Sequence, residues 1–94
     1  MKPSEAIQQH REVILQIIEA NHGRNARVFG SAAKGLDDED SDLDLLIDGQ
    51  PSLFDVGAML YALEKQLGIK ADVLTPADIP QQFRDQVLRE AVPL

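Results

Sequence analysis

The chain has 94 residues, of which 44% are hydrophobic, and it carries a net charge of −7 with no cysteine. This length allows one folded domain, residues 1–94, and no second substrate domain, and the lack of cysteine excludes disulfides, zinc–thiolate sites and thiol nucleophiles. The negative net charge disfavours direct binding of nucleic acid. The sequence has neither an apolar run of ~18 residues nor a basic-then-apolar leader, so we expect a cytoplasmic protein that does not bind membranes.

The first two predicted elements lead to a glycine-rich turn. Residues 3–21 have apolar side chains at helical spacing, with Ser4 as a candidate N-cap. The apolar side chains are Ala6, Ile7, Val13, Ile14, Ile17 and Ile18. Residues 27–30 then form a short predicted strand, which delivers Gly30 and Ser31 to its end.

The glycine-rich segment runs from Gly30 to Gly35 with the sequence GSAAKG. Glycine permits tight turns, and backbone N–H groups in such a turn form a concavity that binds phosphate. We predict a short helix over residues 31–34, whose N-terminal amides add to this phosphate site. The glycines alone are equally typical of a simple turn, so their interpretation depends on the residues that follow.

An acidic stretch contains the second half of the candidate site. Residues 37–48 hold seven of the 16 acidic residues and no Lys or Arg; the nine others balance the nine basic residues. We expect residues 37–40 to form a solvated loop and residues 43–48 to form a strand. Strand alternation places Asp42 and Asp44 on one side and Leu43, Leu45 and Ile47 on the other. Such a pair of carboxylates repels itself unless a cation lies between them, and oxygen ligands together with nucleotide phosphates suit Mg²⁺ or Mn²⁺.

The next predicted helix begins at the N-cap Ser52 and ends at Gly68. Its predicted core stripe consists of Leu53, Val56, Leu60, Leu63 and Leu67. Met59 and Tyr61 lie outside this stripe, at the edge of the core or on a partner surface. An apolar strand, residues 69–74, follows the helix.

Asp72 is the only acidic residue in this third strand. Burial of an unpaired charge is costly, so Asp72 needs a partner. If the strand lies beside the preceding one, Asp72 completes a cluster of three carboxylates with Asp42 and Asp44. The alternative is an ion pair with Arg27 or Lys70.

The C-terminal segment predicts one more helix. Thr75 resembles a helix start, but Pro80 interrupts the pattern, so the helix proper is expected over residues 81–91. Its predicted apolar face consists of Ile79, Phe83 and Val87. The order of elements indicates an α/β (α+β) fold, with a small mixed sheet of about three strands flanked by helices.

Two motifs together, GSxxxG at residues 30–35 and SDxDLLID at residues 41–48, resemble the active-site signature of the DNA polymerase beta nucleotidyltransferase superfamily. More narrowly, the chain resembles the minimal nucleotidyltransferases that act as antitoxins of HEPN-domain ribonuclease toxins, and the likeness covers essentially its whole length. The resemblance implies a polymerase-beta-like nucleotidyltransferase fold. The family usually has arginine where this chain has Lys34. Lysine keeps the charge but lacks the planar fork, so Lys34 is either a triphosphate ligand or a surface lysine.

The resemblance also implies roles for individual residues. The catalytic and metal-binding residues that it implies are Asp42, Asp44 and Asp72. The nucleotide-binding residues that it implies are Gly30, Ser31 and Lys34. The implied cofactor is Mg²⁺ or Mn²⁺, with ATP as the substrate.

The activity that the resemblance implies is transfer of AMP from ATP to a hydroxyl, a tyrosine, of a partner HEPN ribonuclease toxin. The chain would act as the antitoxin and form a hetero-oligomer with the toxin. One alternative is an antitoxin that inhibits by docking alone, although such a protein need not retain Gly30, Ser31, Asp42 and Asp44. Another is a small-molecule nucleotidyltransferase of the antibiotic-modifying kind, which generally needs a further domain for its acceptor.

Overall fold

A four-stranded mixed sheet organises the computed structural model, which describes residues 1–94. The elements in chain order are helix α1 (Pro3–Ala20), strand β1 (Gly23–Phe29), helix α2 (Gly30–Ala33), strand β2 (Leu43–Gly49), helix α3 (Leu53–Leu67), strand β3 (Ala71–Leu74), a 3₁₀ turn (Pro76–Asp78), helix α4 (Gln81–Glu90) and strand β4 (Val92–Pro93). The sheet order is β3-β2-β1-β4. Strands β2 and β3 are parallel, whereas β1 is antiparallel to both β2 and β4. The expected α/β class and mixed sheet are confirmed.

The main core lies between one face of the sheet and helices α1 and α3. The alternation predicted for β2 is present, because Leu43, Leu45 and Ile47 are fully buried on this face. They belong to one apolar cluster with side chains of both helices, including Ile14 and Met59. This packing holds β2, and therefore its polar edge, in a rigid position.

The opposite face of the sheet is covered only in part. Leu46 points to this face and is nevertheless fully buried, which strand alternation alone did not predict. The 3₁₀ turn packs against β2 there, and Ile79, which follows the turn, is also buried. The cover stops short of the start of β2, so Asp44 on the same face is only half-buried.

The core stripe of α3 differs from the sequence prediction. Leu53 is 90% exposed, although it was expected in the core, whereas Met59 is fully buried, although it was placed outside. The stripe that faces the sheet is centred on Met59 and Leu63, and Leu53, in the first helical turn, lies outside it. Tyr61 is exposed, and so is Phe54 beside Leu53.

The ends of the chain also correct several expectations. Helix α1 begins one residue before Ser4, which is inside the helix, and the N-cap is Lys2. Helix α4 has no buried residue, and Phe83 on its predicted apolar face is 51% exposed. Strand β4 was not predicted, because two residues that include a proline carry no strand periodicity. It adds an edge to the sheet through pairing with Arg27 and Val28.

Candidate active site

Gly30 lies where β1 meets α2, with a φ of +71°. A side chain is disfavoured in this left-handed conformation. There is also no space for one, because a Cβ at this position would overlap the carboxylate of Asp44. The first glycine of the motif therefore does more than permit a turn: it lets the backbone of the glycine-rich segment lie directly against Asp44.

The rest of the glycine-rich segment forms a compact turn beside the sheet. The carbonyl of Ser31 accepts hydrogen bonds from the N–H groups of Lys34 (3.2 Å) and Leu36 (2.9 Å), which close the turn. The short helix begins at Gly30, one residue earlier than predicted. Ser31 is partly exposed, and its hydroxyl makes no hydrogen bond within the chain. The hydroxyl is therefore available to a ligand.

Asp44 and Asp72 are brought together by the parallel pairing of β2 and β3. In this register Asp44 lies directly beside Asp72, with Leu43 beside Ala71. Asp42 immediately precedes β2, and both Asp42 and Asp72 are exposed. Burial raises the pKa of the Asp44 carboxyl, and the neighbouring charges of Asp72 and Asp42 raise it further. The three carboxylates therefore share one electrostatic environment, as the sequence pattern predicted.

The alternative explanation for Asp72 fails in this structure. Arg27 pairs with Asp48 instead, through a 2.6 Å contact between Arg27 Nη2 and Asp48 Oδ1. Lys70 forms no ion pair, and Asp72 has no basic partner within 4.0 Å. Asp72 is exposed, has no basic partner and lies beside the half-buried Asp44. Like charges on neighbouring residues repel, so Asp72 does not stabilise the fold.

The donor set fits a hard divalent cation, although the side chains do not yet converge on one point. No group of three or more His, Cys, Asp or Glu side chains is arranged to hold a metal ion. Asp42, Asp44 and Asp72 supply only oxygen donors, which suit Mg²⁺ and Mn²⁺.

Lys34 connects the glycine-rich segment to the last helix. Its ammonium lies 3.5 Å from a carboxylate oxygen of Glu90, and both side chains are about half exposed. A surface ion pair of this kind contributes only about 0–1 kcal/mol. Lys34, which is the C-cap of α2, is therefore held only weakly by Glu90.

Two residues that support the site were not identified from the sequence. Asp37, which was expected in a solvated loop, accepts a 2.8 Å hydrogen bond from the N–H of Ser4 in the first turn of α1. Arg84 of α4 donates to the carbonyls of Pro76 (2.8 Å) and Ile79 (3.0 Å), which anchors the 3₁₀ turn. Both contacts join segments distant in sequence or irregular in structure, and no local pattern marks them.

This arrangement defines a class of protein. A Gly-Ser turn packed against an aspartate of a central strand, with a second aspartate in register on a parallel neighbour, is the nucleotidyltransferase arrangement that the motifs indicated. The chain belongs to the nucleotidyltransferase domain family, whose model matches residues 7–94.

Relatives of known name agree with this assignment. A protein of Methanocaldococcus jannaschii, named as a protein adenylyltransferase, is 36% identical over 88 residues, which is 92% of this chain and 95% of that protein. The protein adenylyltransferase MntA of Thermococcus cleftensis is 37% identical over 71 residues, which is 73% of this chain and 72% of that protein. Both relatives are matched over most of their length.

Solved structures support the fold. One, described as a minimal nucleotidyltransferase, has a TM-score of 0.84 at 39% identity and covers 97% of this chain and 95% of its own. A toxin–antitoxin structure with AMP-PNP has a TM-score of 0.75 at 16% identity and covers 89% of this chain and 71% of its own. At that identity the second likeness concerns the fold alone. No helix of the chain has the length and apolarity needed to cross a lipid bilayer.

Proposed function

We propose that this chain is an antitoxin that transfers AMP from ATP to a tyrosine hydroxyl of a HEPN ribonuclease toxin and thereby silences it. The observation that carries the proposal is the pairing of Asp44 with Asp72 in register, with Gly30 packed against the Asp44 carboxylate. The names of the two archaeal relatives support adenylyl transfer to protein. The toxin–antitoxin context of the structural neighbour supports a toxin as the partner.

In this proposal the carboxylates bind the metal, and the glycine-rich turn binds the outer phosphates of ATP. Asp42 and Asp44 would hold Mg²⁺ or Mn²⁺ together with the triphosphate, and Asp72 would be a further ligand of the metal. The backbone at Gly30 and the Ser31 hydroxyl hold the outer phosphates, with Lys34 as a further phosphate ligand. When bound, Mg²⁺ or Mn²⁺ would neutralise the negative charge that develops on the attacking and leaving oxygens.

The reaction is an in-line displacement at the α-phosphorus of ATP. The tyrosine oxygen forms a bond to this phosphorus, and the bond between the phosphorus and the oxygen bridging to the β-phosphate breaks. Pyrophosphate leaves with that electron pair, and the phenol proton passes to Asp72. Position and electrostatics supply most of the rate enhancement in such transfers, because the protein forms no covalent intermediate.

The proposal is tested by intact-mass spectrometry. With ATP, Mg²⁺ and a cognate HEPN toxin, the chain should add AMP to the toxin and abolish its ribonuclease activity. Fragmentation should map the added mass to a tyrosine. Asp44→Asn should fail at both, whereas Asp85→Asn on the exposed side of α4 should act like the native chain. Inhibition that persists in Asp44→Asn with no mass change in the native reaction would instead indicate an antitoxin that acts by docking.

Asp72→Asn separates binding from chemistry. Nucleotide with Mg²⁺ should still bind with nearly native affinity, because Asp42 and Asp44 remain. The rate of AMP transfer should fall by ~10²-fold or more, since proton acceptance and metal stabilisation at the acceptor are both lost. Isothermal titration with a non-hydrolysable ATP analogue measures the affinity, and a single-turnover assay measures the transfer rate. A native transfer rate in Asp72→Asn would show that Asp72 has no catalytic role.

A further inference from the structure

We infer that the exposed face of helix α3 binds a second copy of this chain and forms a twofold symmetric dimer. Leu53, Phe54 and Tyr61 on this face are 90%, 91% and 65% exposed. Soluble monomers rarely expose large apolar side chains in one patch unless the patch binds a partner. Helix α3 begins beyond the end of β2, whereas the candidate active site is at the start of β2, so the dimer leaves both sites accessible.

Gly57 lies in the middle of this face, and the fold of a single chain does not require a glycine there. A glycine inside a helix is less favourable than an alanine. Gly57 has no positive φ, and a Cβ added to it would meet no atom within 4 Å. A glycine also permits close approach of another backbone, so we assign Gly57 to the closest contact with the second chain.

The residues around Gly57 are arranged symmetrically along the helix. Phe54 and Tyr61 are equally far from the midpoint between Gly57 and Ala58, and spacings of three, four and seven residues place all four on one face. In two antiparallel copies with the twofold axis at this midpoint, each Phe54 lies opposite Tyr61 of the other copy, and the small residues meet where the helices cross. The face is therefore self-complementary, as a twofold interface requires.

A groove between α1 and α3 lies beside this face and fits the most exposed side chain. Its volume is about 270 Å³, and its apolar lining consists of Val13, Ile17, Ala20 and Ala62, with three polar side chains completing it. Ala62 follows the residue that lies opposite Phe54 of the second copy, so this phenyl ring reaches the groove. The volume is below the ~300–1,000 Å³ of sites for whole small molecules and suits one aromatic ring.

The area of the face is sufficient for a reversible dimer. A fully covered aromatic side chain buries about 150–250 Å², so Phe54 and Tyr61 together supply roughly 300 Å² per copy. Leu53, the helix surface at Gly57 and the groove raise the area towards the ~800 Å² that each partner of a standard interface buries. Obligate interfaces are larger, so we expect monomer and dimer to interconvert with concentration.

The charge of the face favours a second copy over a basic partner. Each chain has a net charge of −7, so two copies repel unless their contact surface is nearly neutral. The exposed face of α3 carries only Glu64 and Lys65, whose charges cancel. Antiparallel pairing brings Lys65 of each copy towards the first turn of the other α3, which contains Asp55. A basic partner gains no attraction from a neutral face and would approach the acidic segment instead.

Sedimentation velocity tests the dimer. The native chain should show a concentration-dependent species of twice its mass. Phe54→Glu should raise the dissociation constant at least tenfold, since a charge replaces a central aromatic contact, while its circular dichroism spectrum stays native. Phe83→Glu, a matched change at the exposed aromatic residue of α4, should dimerise like the native chain. A native chain that stays monomeric, or equal effects of the two variants, would overturn the dimer.

Gly57→Leu separates the dimer from the fold. Leucine is a better helix former than glycine and has open space in a single chain, so the monomer should melt at a higher temperature. The same side chain holds the two helices apart, so the dissociation constant should rise at least tenfold. A more stable monomer that dimerises as well as the native chain would overturn the close contact at Gly57.

Cross-linking determines the direction of the two helices. The chain has no cysteine, so each introduced cysteine reports one position. Ala58→Cys lies beside the twofold axis and should form an intermolecular disulfide under mild oxidation, because bridged Cα atoms are usually ~4.4–6.8 Å apart. Lys65→Cys should not, since antiparallel helices hold these two positions far apart. Equal cross-linking at both positions would overturn the antiparallel dimer. A monomeric native chain whose Phe54→Glu variant binds the toxin at least tenfold more weakly would assign the face to the toxin instead.

Discussion

Asp44 is surrounded by groups that oppose its ionisation. Burial raises the pKa of its carboxyl above the ordinary 3.8, and the charges of Asp72 and Asp42 raise it further. A carboxyl whose pKa is higher in the folded than in the unfolded chain binds its proton more tightly when folded. Stability is therefore lost as the pH rises through the interval between the two pKa values, and ionised Asp44 destabilises the fold at neutral pH. Residues of a functional site commonly reduce the stability of the fold in this way.

Asp44→Asn should raise the melting temperature of the ligand-free protein at pH 7 by a few degrees, because it removes the repulsion with Asp72 and Asp42. The same change should abolish most of the stabilisation by Mg²⁺ and ATP, which for binding to the folded state alone amounts to about 2.7 kcal/mol at 100 times Kd. Differential scanning fluorimetry measures both effects. Asp85→Asn is the control, and a less stable Asp44→Asn or a retained ligand response would contradict the prediction.

At the level of elements, two long-range contacts hold the glycine-rich turn and the acidic loop in place. The first is the hydrogen bond from Ser4 to Asp37, which satisfies an N–H group in the first turn of α1. Such groups have no partner within the helix itself. Partial burial acts to raise the pKa of Asp37, but the hydrogen bonds from Ser4 and from the backbone of Asp37 itself, together with the charge of Lys2, outweigh burial and lower the pKa. The acidic loop is thus attached to α1 rather than free in solvent.

Asp37→Ala should destabilise the protein by ~0.5–1 kcal/mol, the usual cost of removing a helix-capping carboxylate. Because the folded-state pKa is lowered, this contribution is present at neutral pH and is lost as the pH falls below 3.8. Urea unfolding at pH 7 and at pH 3 measures it. Asp40→Ala, in the same loop but without an ion-pair partner, should lower the free energy of unfolding by less. Equal decreases for the two variants would contradict a stabilising hydrogen bond from Ser4 to Asp37.

The second contact is the ion pair between Lys34 of the glycine-rich turn and Glu90 of α4. Lys34 cannot hold Glu90 and a triphosphate with the same geometry, so the carboxylate competes with the nucleotide if Lys34 is a phosphate ligand. The pair is exposed and weak, and a triphosphate can displace it.

Glu90→Gln should therefore tighten binding of a non-hydrolysable ATP analogue by about twofold to fivefold, within the range of an exposed pair. Lys34→Gln should weaken binding, and in that background Glu90→Gln should have no further effect. Isothermal titration of the native chain, the two single variants and the double variant completes this double-mutant cycle. Identical affinities in the native chain and Lys34→Gln would show that Lys34 is a surface residue without a role in nucleotide binding.

At the level of the whole molecule, the net charge of −7 is concentrated beside the site rather than spread over the surface. Residues 37–48 contain seven acidic and no basic side chains. Asp48 is neutralised by Arg27, but Asp40, Asp42 and Asp72 have no basic partner. A surface of this kind attracts a partner that carries basic residues, and the attraction acts mainly on the rate of association.

If the proposed HEPN toxin is the partner, its rate of association should therefore fall as salt rises from about 50 to 500 mM, because exposed charges are screened over shorter distances. Asp40→Asn should reduce this salt dependence, whereas Glu12→Gln on the exposed side of α1 should not. Surface plasmon resonance or stopped-flow mixing measures the rates. A rate independent of salt would indicate that apolar contacts, such as the exposed Leu53 and Phe54, guide association instead.

Local patterns in the chain were sufficient to predict most elements and the strands that carry Asp44 and Asp72 side by side. The alternation of β2, the glycine at the end of β1 and the capping box at Ser52 all depend on residues a few positions apart. Sequence patterns report such short-range relations directly, because each side chain's direction follows from the backbone period. For the same reason, once β3 was expected beside β2, Asp72 was expected beside Asp44.

Only the tertiary structure decided which of several compatible faces is buried and which distant groups meet. Periodicity placed Leu53 in the core and Met59 outside it, and the packing of α3 on α1 and the sheet reversed both assignments. The carboxylate that accepts a hydrogen bond from the N–H of Ser4 in the first turn of α1 belongs to Asp37, 33 residues away, and Leu46 is fully buried on a strand that the 3₁₀ turn contacts. A local pattern cannot report such contacts, since they are set by the shape and chemistry of segments that meet only when the whole sheet has formed.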